Sequence, residues 1–219
     1  MDTDYPNNHI YTCVQFCPFI KDSRFLSDEE VSNTDFHLKI GDFLPFNLRS
    51  KKNNIIGKGS YGEVQLMMHK DLQKEFAVKV INKKKLLGTP AYSYLKEEVY
   101  VHRKLIHENI IRLYSHIEDE KNAYLILEYA SKGSLYNYIQ GKRFLSESDS
   151  FFFFKQALSG IYFLHTNGYA HRDIKPENMV ITEEGILKIC DFGWCTRVSD
   201  KRYFYYQKIM LWHFRIYGS

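Results

Sequence analysis

The stretch "YAHRDIKPENMVI", from Tyr169 to Ile181, restricts most strongly what this chain can become. His171, Arg172, Asp173, Lys175 and Asn178 fall within eight residues, and Pro176 stands among them. Proline lacks a backbone donor and breaks helices, so these side chains belong to a loop. Charges and amides cannot be buried without partners. The rest of the chain must therefore build a cleft or surface on which this loop is presented. A polar surface loop without a role is the bland alternative, and chance assembly of this string makes it a poor one.

The flanking sequence says what supports the loop. Between Ile55 and Tyr129, short β-branched and aromatic runs ("NNIIGKG", "EVQLMMH", "EFAVKVI", "AYLILEY") alternate with turn residues and predict antiparallel strands. One helix interrupts them. Thr89 and Pro90 form an N-cap and first-turn pair, and Leu95, Val99, His102 and Ile106 follow as an apolar stripe at helical spacing. From Ser146 onward, "SESDSFFFFKQALSGIYFLHTNG" predicts a long buried helix closed at Gly168, with the Phe151–Phe154 run as core packing. A mostly β half before a mostly helical half gives an α+β chain of two lobes. With 219 residues and 44% hydrophobic content it can bury a core.

Charge and cysteines exclude several classes. The net charge is +4, and the densest basic run, Lys83–Lys85, reads better as a solvated face than as a nucleic-acid patch. Four cysteines are too few for a disulfide scaffold, and Cys13/Cys17 lack a second pair at zinc spacing, so free thiols in a reducing compartment are expected. There is no secretory pattern, and the Phe run is too short to cross a bilayer. The expectation is a soluble intracellular chain, cytoplasmic and/or nuclear, engaging neither nucleic acid nor membrane. Residues 1–48, rich in Asn, Asp and Ser, read as a loosely ordered extension.

Chemistry is spread over both lobes. Gly57, Gly59 and Gly62 form G-x-G-x-x-G, followed by Val64. A dinucleotide-binding oxidoreductase needs a helix directly after such glycines, and a β-like run follows here instead. What remains is a glycine-rich hairpin that can cover phosphates, or an ordinary flexible hairpin. Lys79 stands between apolar neighbours in "FAVKV". It either snorkels to solvent or pairs with Glu98 on the helix face that should pack on the sheet. Glu97, turned about 100° away, is the rival partner. Asp173 can orient a hydroxyl and accept its proton, and Lys175 can neutralise charge on a moving phosphoryl group. Asn178 and Asp191, the latter on a short strand ending at Gly193, offer oxygens to magnesium.

In this order the motifs resemble the eukaryotic protein kinase family over roughly residues 49–202. The resemblance implies the two-lobed kinase-like fold, with an N-lobe and hinge at 49–130 and a partial, helical C-lobe at 131–202. It implies ATP and Mg2+ as cofactors and a protein substrate with a Ser/Thr acceptor, and leaves room for a regulatory protein partner. It implies catalytic roles for Asp173, Lys175, Lys79 and Glu98, and metal contacts for Asn178 and Asp191. Nucleotide contacts are implied for Ile56, Gly57, Gly59, Gly62, Val64, Ala77, Lys79, Leu127, Glu128, Ala130, Glu177, Asn178 and Asp191, with Leu127 as gatekeeper and Glu128 and Ala130 in the hinge. "DIKPEN" looks like the serine/threonine branch, and "YLILEYA", "HENIIRLY" and "DFGW" look most like Aurora kinases. "IGKGSYGEVQL" and "FAVKVINKKKL" are equally at home in calcium/calmodulin-type or other microbial serine/threonine kinases. Cys190 stands where Aurora kinases usually have Ala, as a reachable thiol or a small buried residue.

The last segment, 203–219, departs from the family. The expected activation-segment ending and the helices after it are missing, so the chain reads as C-terminally truncated. Reading the codons one base later, Met210–Leu211 must give Cys and Trp212–His213 must give Gly, and the following codons can spell Thr-Leu-Glu-Tyr-Met-Ala. The tail is thus read as kinase sequence out of frame from near Arg202, with a genuine divergent tail as the alternative. A transcript running unshifted to Ser219 would sink the first reading. For function, an ATP- and Mg2+-dependent serine/threonine protein kinase is expected. The competing reading is a truncated, inactive ATP-binding or interaction module that exposes Phe151–Phe154, Ile161 and Leu164.

Overall fold

A computed structural model describes residues 39–45, 54–59, 62–86, 88, 89 and 91–198. Of the extension expected at 1–48, residues 1–38 and 46–48 lie outside the described residues, as do Pro90 and the tail from 199, whereas Phe43–Pro45 form a strand with Phe43 buried. Strands β1 (Phe43–Pro45), β2 (Ile55–Lys58), β3 (Gly62–His69) and β4 (Lys74–Asn82) come first, then helix α1 (Ala91–His102) and strands β5 (Leu113–Glu118) and β6 (Asn122–Glu128). Helices α2 (Leu135–Lys142) and α3 (Glu147–Thr166) follow, with the short strands β7 (Tyr169–Ala170), β8 (Met179–Ile181), β9 (Leu187–Ile189) and β10 (Thr196–Arg197).

The first lobe is one antiparallel sheet in the order β1-β3-β4-β6-β5, with β2 also paired to β3. Alternation along the strands divides its side chains between two cores. Phe76, Val78 and Ile126 pack with Phe43 on one face. Ile81, Ala123, Leu125 and Leu113 meet Leu86, Leu95 and Val99 on the other, where α1 lies. The Thr89 hydroxyl accepts a hydrogen bond from the Ala91 N–H at 3.3 Å, as the capping signal predicts. Leu95, Glu98, Val99 and His102 are buried, but Ile106 is 55% exposed. The helix ends at His102, so Ile106 does not continue the predicted stripe.

The second lobe hangs on α3. Ser146 caps it, its hydroxyl accepting from the Asp149 N–H at 3.0 Å, and Gly168 closes it at φ +78°. Its buried stripe is Phe153, Ala157, Gly160, Ile161 and Leu164, and the large members each contribute roughly 1.5–3 kcal/mol by leaving water. A Cβ on Gly160 would lie 2.8 Å from the Asn109 carbonyl, so the small residue permits the close approach of the loop before β5. This corrects two expectations. Of the phenylalanine run only Phe153 is core; Phe151, Phe152 and Phe154 are exposed because four consecutive residues cover more than one helix face. Ile161 and Leu164, expected on an exposed apolar face, are buried.

The lobes are joined at β9, whose Ile189 accepts from the Ile111 N–H and donates to the Asn109 carbonyl, both at 2.9 Å. No described helix is long and apolar enough to cross a membrane.

Candidate active site between the lobes

Register brings the cleft residues of the first lobe together. Val64 stands opposite Lys79, and Ala77 opposite Leu127. Directly opposed residues share a face, and so do residues two apart on a strand. Val64, Ala77, Lys79 and Leu127 therefore line one face, the one toward α1. From there Lys79 Nζ reaches Glu98 Oε1 at 2.8 Å and Asp191 Oδ1 at 3.2 Å. The pairing of Lys79 with Glu98, left open by the sequence, is thus made, and the rival Glu97 faces solvent. Burial alone would lower the Lys79 pKa, but Glu98 and then Asp191 outweigh it and hold the ammonium above the ordinary lysine range. Burial likewise opposes ionisation of Asp191, yet the Lys79 charge keeps its carboxyl below the usual carboxylate range.

Asp191 is not on a strand. The strand β9 ends at Ile189, and Asp191 adopts φ +63°. That left-handed conformation cannot continue a strand, and at a non-glycine residue it is strained. Arg172 is held similarly at φ +69°, and its Nε donates to the Trp194 carbonyl at 2.6 Å. The loop from His171 to Asn178 is thereby tied to the segment after Asp191.

Within that loop, the Lys175 ammonium contacts Asp173 Oδ1 at 3.0 Å and Oδ2 at 2.8 Å. The Asn178 amide nitrogen donates to the Asp173 carbonyl at 3.0 Å and to its Oδ2 at 2.8 Å. The Asn178 main-chain carbonyl accepts from the Cys190 N–H at 2.9 Å, which brings Asn178 beside Asp191. Glu177 is exposed on the 3-10 turn Pro176–Asn178, and Ile56 is 46% exposed on β2.

The glycine-rich turn is a hairpin. Gly59 and Gly62 exchange main-chain bonds at 2.9 and 3.4 Å, and β3 follows directly, which leaves no place for the helix of a dinucleotide fold. Gly62 has a structural reason of its own: a Cβ there would lie 1.8 Å from the Val80 carbonyl oxygen. At Gly57 the nearest atoms to such a Cβ lie at an ordinary 3.6 Å, on Val64.

Several supporting residues carry no role assigned from the sequence. Phe192 is 1% exposed, with its ring 4.4 Å from His102 and 5.1 Å from His171. The His171 Nε2 donates to the Cys190 carbonyl at 3.0 Å, and its Nδ1 accepts from the Asp173 N–H at 3.3 Å. Burial pushes the His171 pKa down, so the ring orients the loop as a neutral imidazole. Cys190 is half-buried, so neither alternative is settled by burial; desolvation, then Asp191, push its thiol up to about 12, which leaves little thiolate. Lys188, paired with Glu128, is a further residue that the motifs leave out. Its signal is present, because a lysine inside "ILKIC" carries the same cue as Lys79 inside "FAVKV".

His102 yields a pH prediction. Its Nε2 donates to the Ile111 carbonyl at 2.7 Å, and burial lowers its pKa from 6.5 to about 4. The unfolded chain therefore binds a proton more readily than the folded one. The stabilisation is complete above about pH 6.5 and is lost as pH falls toward 4, a change on the order of 3 kcal/mol. Thermal unfolding between pH 7.5 and 4 should show a shallower fall for His102→Gln than for the unsubstituted chain. Parallel curves would refute the assignment.

Comparison with known proteins agrees with this geometry. The family model described as protein kinase domain matches residues 50–212. The chain is 38% identical over 148 residues to an Aurora kinase of Schizosaccharomyces pombe, covering 67% of this chain and 41% of that protein. It is 37% identical over 147 residues to serine/threonine-protein kinase Aurora-1 of Arabidopsis thaliana, covering 67% and 50%. The maternal embryonic leucine zipper kinase of Danio rerio is 39% identical over 142 residues, covering 65% and 21%. The aligned stretch spans at most half the length of these relatives. A match over most of the chain, together with the Lys79–Glu98–Asp191 chain of contacts and the Asp173–Asn178 loop, shows that this chain belongs to the protein kinase domain family.

Proposed function

We propose that the chain catalyses ATP- and Mg2+-dependent transfer of the γ-phosphoryl group to a Ser/Thr hydroxyl of a protein, in the manner its Aurora-named relatives suggest. The observation that carries this reading is Lys79 held between Glu98 and Asp191. That contact chain fixes a cation between the sheet, helix α1 and the segment that carries Asp191, as a phosphate-transfer site of this kind requires.

The donors present fit magnesium. The Asn178 amide nitrogen is committed to Asp173, which turns its carbonyl oxygen away from that contact, and Asp191 supplies a carboxylate. Among the described residues no cluster of three or more His, Cys, Asp or Glu side chains could hold a metal unaided. Magnesium is commonly bound by one or two protein oxygens together with substrate phosphates, and Asn178 with Asp191 would be that set. When bound, the ion would offset phosphate charge.

The chain's own residues do the rest. Lys79 holds phosphate oxygens while Glu98 fixes its position. Val64, Ala77 and Leu127 supply an apolar floor for the base, bordered by the main chain of Glu128 and Ala130. Asp173 orients the acceptor hydroxyl and takes its proton, with His171 and Asn178 holding its main chain and carboxylate. Lys175 is close enough to Asp173 to meet the transferring group at the same place. Catalysis of this kind comes from positioning and charge complementarity. The same reading places the chain inside the cell, in cytoplasm or nucleus, where ATP is supplied.

One observation favours a second reading, an ATP-binding or interaction module that does not transfer phosphate. Phe151, Phe154, Leu158 and Tyr162 form an exposed apolar strip along α3, as an interaction surface would. The test is a pair of measurements on the full chain: thermal shift with ATP and Mg2+, and label transfer from γ-labelled ATP to a generic protein substrate. Binding with transfer supports the kinase reading. Binding without transfer supports the second.

A further inference from the structure

Glu128 ends β6, and its carboxylate is held twice. One oxygen lies 3.0 Å from Lys188 Nζ, and the other accepts from the Arg112 N–H at 3.1 Å. The Glu128 N–H also donates to the Arg112 carbonyl at 2.9 Å. The last residue of the central sheet is thus fixed through side chain and main chain together. The Lys188 side chain is 11% exposed and that of Glu128 22%, so this is not a solvated surface pair of negligible effect. Lys188 lies on β9 opposite Val180, three residues before Asp191. The contact therefore runs from the end of the first lobe's sheet to the second-lobe strand that leads into Asp191.

Its position relative to the cleft is defined by register. Lys79, which would take the phosphates, is two residues along β4 from Ala77, and Ala77 faces Leu127. That separation is about 7 Å along the strand. A base attached to phosphates at Lys79 would lie toward the Ala77–Leu127 end, against the main chain that begins at Glu128. Recognition there falls to backbone groups, whose aim depends on what anchors the strand end.

We propose that Lys188 is a positioning residue that sets base specificity: by pinning Glu128 it fixes the main-chain groups that favour adenine over guanine. This inference rests on the ATP reading given above. Adenine carries an amino donor where guanine carries a carbonyl acceptor. A main-chain acceptor held in place rewards the first and rejects the second, because two acceptors then face each other unpaired. A strand end freed from Lys188 can shift and lose that contrast. A role confined to stability would lower the unfolding temperature and leave the contrast intact.

The test measures the dissociation constants of ATP and GTP, with Mg2+, for the full chain, for Lys188→Met and for Lys188→Arg. The preference for ATP over GTP should fall roughly tenfold in Lys188→Met, mainly through weaker ATP binding. Lys188→Arg, which retains the cation, should stay close to the unsubstituted chain. If Lys188→Met does not fold, Lys188→Gln reads the same ratio. An unchanged ATP:GTP ratio in the variant that folds overturns the proposal, whatever happens to its unfolding temperature. Absence of ATP binding by the unsubstituted chain overturns the nucleotide reading itself, and this inference with it.

Discussion

Asp173→Asn should lower phosphoryl transfer by about 10²–10⁴-fold while ATP affinity and fold are retained. The substitution preserves shape but replaces a carboxylate that accepts from Lys175 and from the Asn178 amide. One oxygen becomes an NH2 facing donors, so the loop loses an acceptor as well as its proton-accepting group. Stability should change little, because Lys175 is 46% exposed and water can solvate its ammonium once the pair is gone. The measurement is label transfer at saturating ATP beside ATP binding followed by thermal shift. Equal transfer by the two proteins would remove Asp173 from the mechanism, and joint loss of binding and transfer would mark the residue as structural.

The site is more legible in the sequence than the packing around it, for a physical reason. Asp173, Asn178, Lys79 and Glu98 are polar groups in apolar or loop surroundings, and burial of such groups demands specific partners. Each therefore announces a contact, and Lys79–Glu98 and Asp173–Asn178 are formed. Lys188 sends the same signal, but its partner, Glu128, stands at a strand end where a carboxylate looks solvated. Apolar residues are less explicit. The Phe151–Phe154 run is hydrophobic throughout, but only the Phe153 spacing matches Ala157, Ile161 and Leu164, so one ring is buried and three are not. In the sequence His102 is one more member of an apolar stripe. Its contact with Phe192 depends on a loop 90 residues later in the chain, which no local period can reveal. The strand expected at Asp191 is absent for another reason, since a left-handed φ at a non-glycine residue is imposed by tertiary contacts.

Lys79→Met carries the largest expected effect on stability, because it leaves two carboxylates without their shared cation. Glu98 is 9% exposed and lies 2.8 Å from Lys79 Nζ, and Asp191 meets the same nitrogen at 3.2 Å. Removing one partner of a buried pair costs about 3–5 kcal/mol, mostly as the penalty of the charge that remains. Met fills much of the space of the lysine stem, so lost packing is a minor part. If the penalty is electrostatic, Glu98→Gln should relieve it, since a neutral amide does not need the ammonium. Lys79→Met/Glu98→Gln should then be more stable than Lys79→Met alone, although it carries one substitution more. Denaturant unfolding of the four proteins in the cycle gives the coupling directly. ATP binding should remain lost in the double variant, because the amide that replaces the Glu98 carboxylate cannot restore a cation for phosphate. Strictly additive stabilities would show that Lys79 and Glu98 act independently, and the contact chain from α1 through Lys79 to Asp191 would then have no energetic meaning.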